Sequence, residues 1–222
     1  IWDKYATVTN CYFYDSDTDH NYPAYGRNAH NAPVTNVGRA YAVNIVSSGV
    51  EATGNGFTHG TDRYLSGTVT LSGGTPHANA GWVDTYTVNG TAIEGNTFSL
   101  TADATVAYSS TPDATHFAET GTNEYTIYDA TGWDVFCDLF EENNQGFFTG
   151  KTVVLDKDIA VTRMAGSTNH EFSGTFDGQK HTLTVAITGT VQGTAPFCEI
   201  KGATIRNLAV TGSVAGKRHS AR

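Results

Sequence analysis

Three aspartates alternate with other residues near the start of the chain. The segment "DSDTDHN" (15–21) carries Asp15, Asp17 and Asp19, and hard carboxylate oxygens at this spacing can bind calcium. An EF-hand loop beginning at Asp15 would need Gly at its sixth position and an acidic residue at its twelfth, where this chain has His20 and Gly26. The pattern therefore excludes an EF-hand. It favours a solvated acidic turn, with a looser calcium site at Asp15, Asp17 and Asp19 as the alternative.

Tyrosines are concentrated in the same part of the chain. Tyr12, Tyr14, Tyr22 and Tyr25 lie close to Asn and Asp residues. Flat aromatic rings beside such groups suit sugar binding by stacking and hydrogen bonding. These four residues are therefore the candidate glycan ligands, although tyrosines packed in a β-sandwich core would explain the same pattern.

The segment "GTFDGQKH" allows a catalytic interpretation. Asp177, Lys180 and His181 lie close together there, and a β-helix polysaccharide lyase or hydrolase would use an acid and a basic group. Such an enzyme would also gather Asp156 and Asp158 with Asp177 in one groove. A corner turn explains the segment more simply. No metal-binding His spacing, Ser-His-Asp order or nucleotide-binding motif is present, so we expect no catalytic residue and no cofactor besides calcium.

Composition and charge limit the classes of protein that need to be considered. The 222 residues are 39% hydrophobic and 16% charged, which is enough to bury a core. A net charge of −9 argues against nucleic-acid partners and anionic lipid surfaces. No run of about 18 apolar residues predicts a membrane span. Cys11, Cys137 and Cys198 form no CxxC pair, so we expect small buried hydrophobes rather than a metal or redox site.

The first half of the chain has the sequence pattern of short strands. Residues 1–14 alternate, residues 15–38 have the composition of a loop, and residues 40–110 form β runs separated by turn formers such as Gly73-Gly74 and Asn89-Gly90. Asn-Gly between β runs is a strong hairpin indicator. The pattern predicts an antiparallel β-sandwich or grasp-like module over 39–112, preceded by a terminal segment over 1–38 and followed by a linker over 113–124.

One segment predicts a helix. In "TGWDVFCDLFEENNQG", Thr131 can cap the N-terminus, Asp134 suits the first turn and Gly146 suits the C′ position, so the helix should span about 132–144. Its apolar face consists of Trp133, Phe136, Leu139 and Phe140.

A repeat follows the predicted helix. Residues 150–161, 172–189 and 197–214 each contain a glycine and two β runs joined by a corner, and the three segments begin about twenty residues apart. This period is typical of a solenoid, in which each coil covers the next. Because a terminal coil exposes backbone and apolar side chains, we expect the helix to cap the first coil.

These segments resemble the start of a right-handed parallel β-helix of the GLUG-motif type, which occurs in bacterial surface and secreted proteins. The resemblance rests on "GKTVVLDKDIAV", "FSGTFDGQKHTLTV" and "FCEIKGATIRNLAVTGSV" in that order, with Lys180 where the family usually has Gly. It covers 125–222, and "ATVTNCYFYDSD" within 1–16 resembles a late coil of the same type. It implies a mainly β fold: a partial right-handed parallel β-helix with a short α-helical cap, joined to the sandwich or grasp-like module.

The central region carries a second resemblance. "YLSGTVTLSG" and "GWVDTYTVNGTAIEGNTFSLTADATVAYS", within about 41–110, resemble a β-repeat module of bacterial surface proteins, although "SLTADATV" lacks the Met-Pro pair usual in that family. Residue 1 is Ile, so we also expect a cut or processed N-terminus. Together these features imply a fragment of a longer, repetitive, extracellular or cell-surface protein.

Three functions remain open from the sequence. The leading one is a non-catalytic stalk or adhesin module of a larger bacterial surface protein. The alternatives are a glycan-binding module of a carbohydrate-active protein and a β-helix polysaccharide lyase or hydrolase fragment. The expected partners are host or dietary glycans, surface proteins, and other copies of the chain joined end to end.

Overall fold

The computed structural model describes residues 8–13, 34–54, 58–59, 63–65, 67–143, 146–190 and 193–216, with side chains described from residue 41 onward in these ranges apart from 58–59 and 63–65. The described chain is mainly β, with several sheets and one helix. It divides into two compact units. Unit 1 comprises residues 1–76 and 84–110, and unit 2 comprises residues 77–83 and 111–222.

Ten strands lie wholly or largely in unit 1. They are β1 (Val8–Phe13), β2 (Val34–Ile45), β3 (Val50–Thr53), β4 (Thr58–His59), β5 (Arg63–Leu65), β6 (Gly67–Gly73), β7 (Trp82–Val88), β8 (Thr91–Ala92), β9 (Thr97–Leu100) and β10 (Ala104–Pro112). One sheet has the order β4-β5-β2-β10-β7-β8 with β1 also on β2, and a second has the order β3-β6-β9.

The predicted antiparallel module contains parallel pairs as well. The long strand β2 changes partner along its length: it pairs with β1 in parallel, then with β5 antiparallel, then with β10 in parallel at Val43–Ile45. The Asn-Gly hairpin is confirmed. Asn89 and Gly90 have φ of 50° and 78° and connect β7 to β8, which pair antiparallel.

Both sheets of unit 1 contribute to one apolar cluster. Strand alternation directs every second side chain to the same face, and in β6 this buries Val69 and Leu71 completely. The remaining buried members come from β2, β3, β9 and β10 and the residues beside them: Val43, Val50, Leu100, Ala104 and Val106.

Unit 2 contains one helix and eight further strands. They are β11 (Phe117–Gly121), β12 (Glu124–Ile127), α1 (Ala130–Glu142), β13 (Thr152–Leu155), β14 (Ile159–Val161), β15 (Thr175–Asp177), β16 (Thr182–Thr188), β17 (Thr204–Arg206) and β18 (Ala209–Ala215). One sheet has the order β11-β12-β13-β15-β17 and the other has the order β14-β16-β18.

Successive segments of unit 2 stack in parallel. The chain contributes one strand to each sheet before it returns: β13 and β14, then β15 and β16, then β17 and β18. We call these strand pairs the first pass (152–161), the second pass (175–188) and the last pass (204–215). All of their pairings are parallel, and equivalent residues lie in register, such as Val153, Phe176 and Ile205.

The helix begins earlier than the sequence predicted. It spans Ala130–Glu142, and Asp129 rather than Thr131 is its N-cap, because the Asp129 carboxylate accepts a hydrogen bond of 2.9 Å from the Gly132 N–H. Asn143 is the C-cap, so Gly146 lies beyond the C′ position. Gly132 permits close packing here, since a Cβ would lie 2.0 Å from the His116 carbonyl oxygen.

The predicted linker at 113–124 is largely structured. Residues 113–116 form a turn, and β11 pairs antiparallel with β12 through a turn in which Asn123 has a φ of 60°. Strand β11 is therefore the edge of the sheet that continues through β13 and β15. The helix contacts β11, β12 and β14, so it packs at the same end of the ladders as the hairpin.

An aromatic cluster forms the centre of unit 2. Phe136 has six aromatic neighbours at centroid distances of 5.0 to 6.3 Å. Helix α1 contributes Trp133 and Phe140, and the rest of unit 2 contributes Phe148, Phe172, Phe176 and Phe197. Trp133 and Phe136 are completely buried and Leu139 is partly buried, so the apolar face predicted from the sequence is the face that packs on the core.

Candidate functional site

Most of the sequence-predicted site residues lie outside the described ranges. Asp15, Asp17, Asp19, Tyr14, Tyr22 and Tyr25 fall within 14–33, and only the backbone of Tyr12 is described, in β1. The calcium and N-terminal glycan predictions therefore stay predictions. Across the ranges that are described, no group of three His, Cys, Asp or Glu side chains could hold a metal ion.

The carboxylate of Asp177 ties two passes together. One oxygen accepts hydrogen bonds of 3.0 Å from the Gln179 N–H and the Asn207 amide, and the other accepts a 2.8 Å bond from Arg206 Nε. The Gln179 backbone bond, the Asn207 amide and the nearby Arg206 charge hold the pKa of Asp177 below its usual range. A buried carboxylate that is saturated with donors suits a corner of the fold better than proton transfer.

Asp158 takes a separate set of partners at the same corner. Its Oδ1 accepts a 2.8 Å bond from the Thr182 N–H and lies 3.2 Å from His181 Nδ1. The backbone bond from Thr182, assisted by His181, lowers the pKa of Asp158. Asp156 is exposed. These contacts join the first pass to the second, and they engage Asp158 and His181 of the lyase hypothesis in structural hydrogen bonds, as Asp177 is.

A buried carboxylate on α1 organises a network that the sequence did not predict. Asp138 is 2% exposed. It accepts hydrogen bonds from Arg163 Nη1 at 2.7 Å, Asn79 Nδ2 at 2.8 Å and Trp82 Nε1 at 3.2 Å. A buried charge needs such partners to offset its lost hydration. Asp138 therefore fastens residues 77–83 to the helix.

His77 extends this network. Its ring stacks on Trp82 at a centroid distance of 4.0 Å. Its Nδ1 accepts a hydrogen bond from the Asn79 N–H at 3.1 Å, so Nε2 carries the proton that faces Glu142 Oε1 at 2.5 Å. Asp138 and Glu142 lie one helical turn apart and hold the same short segment at two points.

A pocket of about 370 Å³ opens in unit 2 beside this network. Its wall is rich in hydroxyl groups, and it also contains a carboxylate from Glu141, the guanidinium of Arg163 and apolar side chains from Met164 and Ile187. The hydroxyl-bearing residues are Thr162, Ser167, Thr168, Thr188 and Thr194. The volume lies within the range of small-molecule sites.

The charges at the pocket are already partly engaged. Burial opposes the charge on Arg163, but its hydrogen bond to Asp138 raises its pKa above the ordinary value. Arg163 Nη2 lies 3.6 Å from Glu141 Oε1, and the Glu141 side chain is about half exposed. The pocket therefore offers neutral donors and acceptors, with one ion pair at its edge, and it suits a neutral polyhydroxylated ligand better than a phosphate.

Ser167 at the pocket wall lies 3.0 Å from His170 Nδ1. This pair closes a tight turn, because the backbones of the two residues also bond to each other and the Asn169 N–H donates to Ser167 Oγ. The contact is therefore explained by local turn structure.

Cys137 is a core side chain, as expected. It is fully buried in α1, and burial raises the pKa of its thiol, so it lacks the thiolate character of a reactive cysteine. Cys198 is partly exposed, and burial also raises its thiol pKa. No described helix is long and apolar enough to cross a membrane.

Sequence reasoning missed both the pocket and the segment 77–83. The pocket is lined by Glu141 of α1, by residues that follow the first pass, and by residues at the end of the second pass and after it. No local sequence pattern encodes the proximity of these segments. One sign of the network was present: Asp138 interrupts the run Phe136-Cys137 and Leu139-Phe140. A charged residue flanked on both sides by apolar ones on a helix indicates a partner elsewhere in the chain.

Replacing Asp138 should weaken unit 2 strongly. Asp138→Ala removes the buried acceptor shared by Arg163, Asn79 and Trp82 and breaks the ion pair with Arg163, and we expect the free energy of unfolding to fall by about 3 kcal/mol. Glu141→Ala, an exposed carboxylate on the same helix, should cost less than about 1 kcal/mol. Urea denaturation followed by tryptophan fluorescence measures both. Equal losses for the two variants would show that Asp138 does not anchor the segment.

No protein-family model, curated protein or solved structure matches this chain. The function is therefore argued from the contacts described above.

Proposed function

We propose that the chain is a non-catalytic extracellular or cell-surface module, a stalk or adhesin segment of a larger repetitive bacterial protein. The GLUG-type resemblance over 125–222 motivates the location and the β-helix assignment. The observation that carries the proposal is the in-register parallel stacking of three passes, with α1 and β11 at one end. Such an arrangement is extended by adding passes and needs no active site.

The packing of unit 2 supports a right-handed parallel β-helix. Each pass returns to the same two sheets in parallel, and parallel crossovers are right-handed in nearly all proteins. The buried side chains Val153, Phe176 and Leu183 lie in the stacked strands and join one apolar core. Asp177, Asp158 and their hydrogen-bond partners fasten one pass to the next, which suits a stalk.

Unit 1 fits the proposed surface β-repeat module. Two sheets share the cluster around Val69 and Leu71, as a small β-sandwich would. Most of the described strands of unit 1 are short and are joined by tight turns such as Asn89-Gly90. A spacer or adhesive role is the assignment we propose for it.

Surface location can be tested on intact cells. An antibody raised against this chain should label unpermeabilised bacteria that express the parent gene, because a stalk or adhesin module lies outside the envelope. A cytoplasmic protein probed in the same cells controls for lysis. Labelling that appears only after permeabilisation would contradict the proposal.

Glycan binding is a second candidate function, and the pocket in unit 2 favours it. Five hydroxyl-bearing residues surround a volume of about 370 Å³ with Met164 and Ile187 as apolar contacts. Polar groups that fix orientation together with an apolar surface are what sugar recognition requires. This candidate relies on Thr188 and Ser167 rather than on the N-terminal tyrosines.

Blocking the pocket should abolish glycan binding if this second candidate is correct. Thr188→Arg places a long side chain at the wall and should weaken any glycan found on an array by at least about tenfold, or about 1.4 kcal/mol. Ala160→Arg, an exposed strand position outside the pocket, is the matched control. Titration calorimetry measures both. Absence of any bound glycan, or equal weakening by the two variants, would reject the candidate.

A further inference from the structure

Four apolar side chains in and just before the last pass of unit 2 are exposed, whereas their neighbours one pass earlier are buried. Ile200, Ile205, Val210 and Val214 are 38 to 55% exposed. Their in-register neighbours one pass earlier are Phe172, Phe176, Leu183 and Ile187, which are 0 to 3% exposed. The exposed side chains therefore occupy core positions of the ladder, and they are exposed because no described strand covers them.

These four residues account for most of the large exposed hydrophobic side chains in the described structure, the other two being Val46 and Val83. The backbone of the last pass is also uncovered on one side. β17 and β18 each end a sheet order, so each has one edge without a described strand partner. An open edge combined with an apolar patch is a template for another strand.

The chain contains a strand whose sequence and pairing fit this edge. Val8-Thr9-Asn10-Cys11 in β1 and Val34-Thr35-Asn36-Val37 in β2 share a pattern, and the two strands pair in parallel with Val8 opposite Val34 and Cys11 opposite Val37. The last pass carries a related sequence at Ile205-Arg206-Asn207-Leu208, in which β17 ends at Arg206 and Asn207 turns the chain with a φ of 52°. β1 therefore already pairs in parallel with one strand of related sequence, β2.

The order in which strands are added to the sheets also allows β1 to pair with β17. In unit 2 every pass adds to the edge left by the one before it, and the open edge of β17 is the edge that a following strand would use. β1 pairs in parallel with β2, the strand that follows it in the chain. The opposite edge of β1 is therefore the one that an earlier strand would use. The two edges are complementary rather than identical.

Charge favours the same partner. Residues 201–222 contain Lys201, Arg206, Lys217, Arg218 and Arg222 and no acidic residue. Residues 1–20 contain four aspartates and a single lysine. The described charges Lys201 and Arg206 are paired with Glu171 and Asp177, so the contrast is one of net charge between two sequence segments. Opposite net charge favours association of these segments over pairing of like segments.

We propose that the open last pass of unit 2 binds β1 (Val8–Phe13) of a second copy, so that copies associate head to tail. Ile205 of β17 would lie opposite Val8 of β1. Because the two surfaces differ, the contact is heterologous and forms open chains of molecules unless a ring closes. The inference concerns only these strands, so it can fail without affecting the proposed surface role, and the reverse also holds.

Association in solution tests the inference first. Sedimentation velocity on the full chain should show mass rising with concentration, and raised salt should weaken the association because charge contributes. Ile205→Asp combined with Val210→Asp places carboxylates on the apolar patch and should give a monomer. Val83→Asp, an exposed valine outside the last pass, should associate as the wild type does. Circular dichroism checks that each variant is folded.

A disulfide trap tests the register. In a Cys11→Ser, Cys198→Ser background, Ile205→Cys should cross-link to Val8→Cys of a second copy and give a ladder of oligomers on a non-reducing gel. Adjacent strands lie about 4.8 Å apart, within the range of about 4.4–6.8 Å that disulfides span between Cα atoms. Restoring Val8 should abolish the ladder, and Val83→Cys in place of Ile205→Cys should not produce one.

Several outcomes would overturn the inference. They are a strict monomer at high concentration, association that survives Ile205→Asp with Val210→Asp, and a ladder that persists without Val8→Cys. A monomer would mean that the open pass binds something else, such as a further pass in a longer chain. Loss of association in the double variant, together with a ladder that depends on Val8→Cys, supports the inference.

Discussion

Unit 2 depends on covering the two ends of a parallel stack. Every pass buries its apolar side chains and satisfies its backbone only if another element lies on each side of it. At one end α1 and β11 meet this need: Phe136 and Trp133 fill the core and β11 pairs with β12. At the other end Ile205 and Val210 remain exposed. The two ends of the described stack therefore differ: one is capped and the other exposes apolar side chains.

The cap is held by polar as well as apolar contacts. Burial opposes ionisation of Asp129, but hydrogen bonds from Gly132 and His116 hold its pKa below the usual range and fix the start of the helix. Asp138, in the last half of the helix, binds Arg163 from the chain after the first pass and the segment 77–83. The helix therefore has a fixed position on the stack, because its charged groups and its aromatic face are satisfied only in that one position.

Local sequence patterns predicted individual helices and turns better than the contacts that these elements make with distant parts of the chain. The helix and its buried face followed from the spacing of Trp133, Phe136 and Phe140, and the Asn89-Gly90 turn followed from its backbone requirement for positive φ. The N-cap was misplaced because Thr131 and Asp129 both offer an oxygen, and only tertiary packing against His116 selects Asp129. β11 was taken for a linker because a short edge strand with Thr, Glu and Gly has little apolar periodicity. The pocket and the role of residues 77–83 arise from contacts distant in sequence, which no local pattern encodes.

The free energy of local opening should fall along unit 2, from the capped end to the open end. Hydrogen–deuterium exchange by mass spectrometry, on the chain at a concentration where it is monomeric, measures this gradient most directly. Amides in α1, in β12 and in β13 at Thr152–Leu155 should exchange slowly, and those in β17 and β18 should exchange much faster because no described strand or helix covers the last pass. Equal protection of the first and last passes, or faster exchange in α1 than in β18, would contradict the claim that α1 and β11 form the cap.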